Sequence, residues 1–96
     1  MADYRLSRAA AADLEEIAYY GLRTFGLPQM QRYQEGLKLR LQRIAEAPQT
    51  YPSVEHIRAG YRRSVYESHA IYYRIEASGV LIVRILGRQD LDVALT

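Results

Sequence analysis

The chain contains no cysteine and only one lysine. Without cysteine, disulfides and thiol chemistry are excluded, and the cytosol is the expected compartment. The first five residues turn polar at once, so we expect no signal peptide. The most apolar stretch, residues 69–86, is interrupted by Arg74, Glu76 and Arg84, which argues against a membrane span. We therefore predict a cytoplasmic protein.

Length and composition are those of a small folded domain. The 96 residues suffice for one hydrophobic core, so a single domain over residues 1–96 is expected. Apolar residues make up 49% of the chain and charged residues 25%, which argues against disorder. The net charge of +2 is too small to indicate a nucleic-acid partner by itself. Arginines are nevertheless concentrated between residues 61 and 88, opposed there only by Glu67 and Glu76.

The amino-terminal half predicts a short strand followed by two helices. Residues 4–6 alternate between apolar and polar, and Ser7 suits a helix N-cap. Apolar residues then recur at helical spacing until Gly26 ends the first helix. Pro28 fits the first turn of the second helix, and Pro48 stops it. Because the connection is short, we expect an antiparallel helical hairpin.

Three strands are predicted in the second half, over about residues 61–66, 69–76 and 80–87. The turn between the first two is either Glu67-Ser68 or Glu67-Ser68-His69. Residues 77–79 fit a three-residue loop between the last two, with glycine at the left-handed position. The predicted fold is α+β in the order β-α-α-β-β-β, with the helical hairpin packed on one face of a small, mainly antiparallel sheet.

The three-residue loop also predicts which residues share a face of the sheet. With Glu76 opposite Val80, one face is wholly apolar and receives the hairpin. The other face would carry Tyr72, Arg74, Ile82, Arg84 and Leu86. It is too apolar for full exposure and too cationic for a core, which indicates a partner-binding face. The alternative is that the arginines stack on tyrosines and cap the sheet edge.

Several short segments, in order along nearly the whole chain, carry a family resemblance. They are residues 4–7 leading into 13–17, then 25–26, 44–48, 58–63, 69–75 and 83–88, followed by Asp90. Together they resemble the ParE branch of the RelE/ParE toxin superfamily.

The resemblance implies the toxin of a type II toxin–antitoxin system, acting in the bacterial cytoplasm. Several such toxins poison DNA gyrase and so block replication. A ParD-type antitoxin neutralises them by wrapping its carboxyl-terminal segment around the toxin, and only the antitoxin contacts operator DNA. The chain would then be a protein inhibitor that assembles with its antitoxin, without enzymatic activity or a cofactor.

The predicted contact residues form three groups. The first, for the target or the antitoxin, comprises Arg62, Arg63, Tyr72, Arg74, Ile82, Arg84, Leu86 and Arg88. Tyr19, Tyr20 and Tyr33 are expected to border the antitoxin groove, since tyrosine is rigid and amphipathic, although Tyr33 also fits a core position. The resemblance implies that the carboxyl end matters for toxicity, which points to Leu91 and Leu95.

The main rival hypothesis is a RelE-like messenger-RNA endoribonuclease that acts in the ribosome. Such a reaction needs a general base, a general acid and cations for the phosphorane. Arg74 and Arg84 suit a phosphate, but no lysine occurs in the second half and neither tyrosine nor histidine follows Gly87. Arginine stays protonated and is a poor proton shuttle.

Two weaker hypotheses remain consistent with the sequence. One is a nucleic-acid-binding module that uses the arginines of the second half, and the other is a toxin fold without remaining activity. A metal site is not predicted, because His56 and His69 lack partners at metal-ligand spacing.

Overall fold

The computed structural model describes residues 3–87 of the chain. The elements, in order, are β1 (Tyr4–Leu6), α1 (Arg8–Phe25), α2 (Leu27–Glu46), a 3-10 turn (Pro48–Thr50), β2 (Arg62–Tyr66), β3 (His69–Glu76) and β4 (Gly79–Gly87). This order confirms the predicted α+β class. Within residues 3–87, neither helix combines the length and the apolar character needed to cross a bilayer.

The four strands form one sheet in the order β1-β4-β3-β2. The two hairpins, β2–β3 and β3–β4, are antiparallel, whereas β1 pairs with β4 in parallel. A parallel pair requires a long crossover connection, and the two helices provide it. The helical hairpin therefore lies over one face of a mainly antiparallel sheet, as predicted.

Ser7 joins the start of α1 to the middle of the sheet. Its Oγ accepts a hydrogen bond from Ala10 N at 2.9 Å, which is the predicted N-cap contact, and donates to Val83 O at 2.7 Å. Its backbone N–H donates to Ile82 O at 2.9 Å. One residue thus ends β1, caps α1 and holds both against β4.

The main core lies between the hairpin and the sheet. Leu37, Leu41 and Ile44 of α2 are fully buried there. They pack with a second set of buried side chains, namely Ala10, Ile71, Tyr73, Val80, Ile82 and Ile85. The phenol of Tyr73 donates a hydrogen bond to Pro48 O, so this buried polar group is satisfied.

The opposite face of the sheet is covered by the segment between Tyr51 and Tyr61. Val54 is 2% exposed and packs with Tyr72 and Leu86 of this face. Val54 N donates to Tyr61 O at 2.8 Å, and Arg63 N donates to Pro52 O at 3.0 Å, so backbone bonds hold the segment in place. This face was predicted to be left for a partner, but part of it is covered by the chain's own loop. A loop without helical or strand periodicity can still bury its few apolar residues.

The predicted β3–β4 register is correct at one end and wrong at the other. Tyr72 lies opposite Arg84 as predicted, but Tyr73 lies opposite Ile82, with Val83 as an extra residue in a β-bulge. Glu76 consequently pairs with Gly79, and the loop has two residues rather than three. The bulge turns Ile82 toward the hairpin, where it is fully buried, so its predicted place on the partner-binding face was wrong.

Arg40 of α2 covers the outer edge of β2. Its guanidinium donates to Ser64 Oγ and to Val65 O, both at 2.9 Å. It also lies over the rings of Tyr51 and Tyr66, 5.6 and 5.4 Å from their centroids. This packing holds the helical hairpin over an edge strand that would otherwise expose unpaired backbone groups.

We predict that Gly36→Ala destabilises the protein although alanine is the better helix former. A methyl group on Gly36 would overlap the Tyr66 hydroxyl and lie 2.8 Å from Tyr66 Cζ. The ring of Tyr66 is held by Tyr33 and Arg40, so displacing it should cost about 1–3 kcal/mol, more than the roughly 0.5–1 kcal/mol that alanine gains in a helix. Urea unfolding measures the difference.

The matched control is Gly21→Ala, in the other helix. Its methyl group would lie 3.3 Å from Cγ of Met30, a flexible side chain that can yield. Equal unfolding free energies for the two variants would contradict the packing described for Tyr66.

We also predict a loss of stability at high pH that depends on Tyr73. Burial raises the pKa of its phenol to about 12, from an ordinary value of 10.0. The raised pKa favours the neutral phenol in the folded state, so this stabilisation is complete below pH 10 and is lost as the pH rises toward 12. Tyr73→Phe should flatten the dependence of unfolding free energy on pH in this window. Tyr20→Phe, at a side chain that is 64% exposed, should leave it unchanged.

Candidate functional site

The end of the helical hairpin carries a group of exposed apolar side chains, which we call the hairpin tip. Its members are Tyr19, Tyr20, Leu22, Phe25 and Leu27, exposed by between 45% and 64%. Tyr20 and Phe25 pack edge to face with ring centroids 6.4 Å apart, and Arg23 lies over the ring of Tyr19. Large apolar side chains that are exposed together at one end of a small domain indicate an interaction site.

A cleft of about 230 Å³ separates the hairpin tip from the β2–β3 turn. We call it the tip cleft. Ile17, Tyr20, Phe25 and Met30 form its apolar walls, and polar side chains of α2 and of the turn complete it, namely Gln29, Tyr33, Gln34, Glu67, Ser68 and His69. The cleft thus combines apolar surface with a few polar groups, which is the usual composition of a binding site.

Tyr33 links α2 to the β2–β3 turn at this cleft. Its phenol oxygen lies 2.6 Å from His69 Nδ1 and 3.3 Å from Tyr66 O. The rings of Tyr33 and Tyr66 are 5.4 Å apart. Burial raises the pKa of the Tyr33 phenol, and its neutral hydroxyl donates a hydrogen bond to Tyr66 O. Tyr33 therefore has a structural role besides bordering the cleft.

The outer face of the sheet, opposite the hairpin, carries exposed or half-buried arginines. Arg63 lies over the ring of Tyr72, 6.0 Å from its centroid, and Arg58 lies over Tyr61 at 5.9 Å. Arg74 pairs with Glu76 at 3.0 Å, with its side chain 49% exposed. For Arg63, the expected stacking of arginine on tyrosine is what the structure shows. We call Arg58, Arg63 and Arg74 the arginine face.

Arg62 and Arg84 do not join this face. Arg62 donates to Tyr51 O at 2.7 Å, on the side of the sheet that faces the hairpin. Arg84 forms a two-pronged ion pair with Asp13 of α1, at 2.8 and 3.0 Å. Asp13 Oδ2 also accepts a hydrogen bond from Ile85 N at 2.9 Å. Arg84 has its predicted place opposite Tyr72. Its guanidinium is bound to α1, so the expectation of an open binding surface was wrong for this side chain.

Two further predicted contact residues are buried, and three lie outside the described range. Tyr72 is fully buried and Leu86 is 4% exposed, both beneath the loop that covers the outer face, so their expected exposure was wrong. Tyr19 and Tyr20 are on the surface, and Tyr20 lines the tip cleft. Arg88, Leu91 and Leu95 lie outside residues 3–87.

Sequence comparison decides the family. The family model described as the ParE toxin of the type II toxin–antitoxin system parDE matches residues 4–91. The chain belongs to the ParE toxin family. It is 41% identical to Toxin ParE1 of Caulobacter vibrioides over 86 residues, 90% of this chain and 88% of that protein. It is 36% identical to Toxin ParE1 of Mycobacterium tuberculosis over 91 residues, 93% of each chain.

A solved structure has the same fold as this ParE-family chain. It is described as a chromosomal ParDE toxin–antitoxin system from P. aeruginosa, and it superposes with a TM-score of 0.79. The match covers 91% of this chain and 96% of the other at 18% identity. The predicted family and fold are therefore confirmed.

We predict that Asp13→Ala destabilises this ParE-family toxin by about 2–3 kcal/mol, since it removes charge-assisted hydrogen bonds to Arg84 and to Ile85 N. Arg84→Ala should cost less, because Asp13 keeps the bond from Ile85 N. Urea unfolding of both single variants and the double variant measures the coupling between the two side chains. Glu16→Ala, at an exposed position of the same helix, should change stability by less than about 0.5 kcal/mol. Additive effects of the two substitutions would contradict the ion pair.

Proposed function

We propose that this chain is a toxin that binds and inhibits DNA gyrase and is neutralised by a ParD-type antitoxin in the bacterial cytoplasm. The single observation that carries the proposal is the match to the ParE toxin family over residues 4–91. The proposal treats residues 1–96 as one toxin domain that acts by binding and not by catalysis.

The hairpin tip supports the antitoxin part of the proposal. A segment that folds on its partner needs exposed apolar surface with polar groups at its border. Tyr20 and Phe25 supply such surface, and the tip cleft beside them supplies the polar border. Aromatic side chains of this kind are favoured at protein interfaces because they bury much area at little entropic cost.

The arginine face supports a separate surface for the target. Arg58, Arg63 and Arg74 lie on the side of the sheet away from the hairpin, and Arg74 is half exposed. Guanidinium groups suit acidic protein surfaces and stack on aromatic rings. The hairpin tip and the arginine face lie on opposite sides of the sheet. An antitoxin at the hairpin tip would therefore prevent target binding either by extending around the toxin to the arginine face or by sterically blocking the approach of the target.

The contacts of the arginines support inhibition by binding over an RNA-cleavage mechanism. Arg84, a candidate phosphate ligand in a RelE-like reaction, is held by Asp13, and Arg74 is paired with Glu76. Neither guanidinium can act as a general base, because arginine stays protonated.

The proposal is tested with the purified toxin and DNA gyrase. We expect the toxin to inhibit supercoiling and to increase cleaved DNA complexes, and an equimolar ParD-type antitoxin to reverse both effects. A folded toxin that leaves gyrase unaffected would overturn the gyrase assignment. Cleavage of ribosome-bound messenger RNA by the same preparation would establish a RelE-like ribonuclease instead.

We predict that Arg74→Ala weakens inhibition of the target by about 5- to 30-fold, the factor that corresponds to 1–2 kcal/mol. Surface ion pairs contribute little to stability, so the thermal midpoint should stay within a few degrees of the wild type. Arg32→Ala, at an exposed position of α2, is the matched control and should retain full inhibition. Equal inhibition by the two variants would remove Arg74 from the target surface.

A further inference from the structure

We infer that the tip cleft is the anchor site for the antitoxin and that it takes one apolar side chain together with a hydrogen-bond acceptor and a cation from the same segment. This inference rests on the proposed function, because it assumes an antitoxin partner. It goes further by assigning the recognition to particular residues, Gln34 and Glu67.

The size of the cleft favours a side chain over a free ligand. Pockets for small molecules usually measure about 300–1,000 Å³, whereas the tip cleft measures about 230 Å³. Its walls include Met30, whose flexible side chain can adapt to an inserted group. An anchor side chain that fills a pocket at the centre of an interface is the common form of a binding hot spot.

Gln34 supplies a donor that the free toxin leaves unused. Its side chain lines the cleft, and its Nε2 is buried without a hydrogen-bond partner among residues 3–87. A buried amide without a partner is unfavourable, and such groups are rare in folded proteins. A modest shift of Gln34 or Met30 on binding would present this amide to a carbonyl oxygen of an inserted segment.

Glu67 is a second locally unfavourable feature of the same cleft. It occupies the two-residue β2–β3 turn with a φ of 52°, in the left-handed region where glycine or asparagine is favoured. Its carboxylate makes no ion pair with any residue between 3 and 87. A glutamate at this position adds negative charge at the mouth of the cleft, where a lysine or arginine of the antitoxin would find a partner.

The unpaired amide of Gln34 and the positive φ of Glu67 predict that substitutions at these residues lower antitoxin affinity without lowering toxin stability. Gln34→Leu removes the unpaired donor, and Glu67→Gly removes the backbone strain. We expect neither variant to have a lower thermal midpoint than the wild type. We expect each to bind a complete ParD-type antitoxin about 5- to 30-fold more weakly. Glu67→Gln keeps the backbone strain and tests the charge alone.

The experiment combines calorimetric titration of the complete toxin with its antitoxin and thermal unfolding of each toxin variant by itself. Ser68→Trp places a bulky side chain at the cleft, and Ser78→Trp places the same side chain in the exposed β3–β4 turn as a control. Of these two tryptophan variants, we expect only Ser68→Trp to weaken antitoxin binding. Unchanged affinity in the Gln34, Glu67 and Ser68 variants would overturn the inference, as would a parallel loss of stability and affinity.

Failure of the anchor site and failure of the proposed function give different binding results. If the wild-type toxin does not bind the antitoxin, the proposed function fails. If the wild type binds and the cleft variants bind equally well, only the anchor site is overturned. Two different occupants would also overturn it. One is residues 88–96 of this chain, if Ser68→Trp lowers the thermal midpoint of the full chain but not that of a chain ending at residue 87. The other is a second copy, if Ser68→Trp converts a dimer into a monomer in light scattering.

Discussion

The structure depends on how α1 is attached to β4. The parallel partner of β4, strand β1, ends opposite Ile82, so the second half of β4 has backbone groups on this side that need other partners. Ser7 binds the carbonyl of Val83, and the Asp13 carboxylate accepts from Ile85 N while holding Arg84. The first turns of α1 thus replace the missing strand. This attachment fixes the direction of the helical hairpin, and with it the position of the hairpin tip beside the β2–β3 turn.

The short chain also limits how much apolar surface the fold can bury. A domain of this size buries only about 60–65% of the surface that its unfolded chain exposes. Here the buried apolar residues are shared between two layers, one beneath the hairpin and one beneath the loop that carries Val54. The exposed aromatic residues of the hairpin tip, such as Tyr20 and Phe25, lie beyond both layers. Their exposure is therefore tolerable mainly if a partner covers them, which agrees with the antitoxin proposed above.

The order of the elements could be predicted from sequence, whereas much of the site could not. Local signals such as the Ser7 cap, Gly26 and Pro48 depend on neighbouring residues, so they placed the helices correctly. The β-bulge at Val83 has no such signal, and one extra residue was enough to move Ile82 to the other face. Likewise, the pattern of α1 does not separate Asp13 from the exposed Glu15 and Glu16, because the partners of Asp13 lie about 70 residues away in the chain.

Two residues of the tip cleft are in environments that are unfavourable for a side-chain amide or for the backbone of a glutamate. A buried amide without a partner at Gln34 and a glutamate with positive φ at Glu67 each lower the stability of the free toxin. Elsewhere, among residues 3–87, buried polar side chains such as Ser64 and Asp13 are satisfied. A partner bound in the cleft can pair with the Gln34 amide and with the Glu67 carboxylate at the same time. Binding therefore explains these two unfavourable features better than folding does. On this argument the toxin gives up some stability when free and recovers it when an antitoxin fills the cleft.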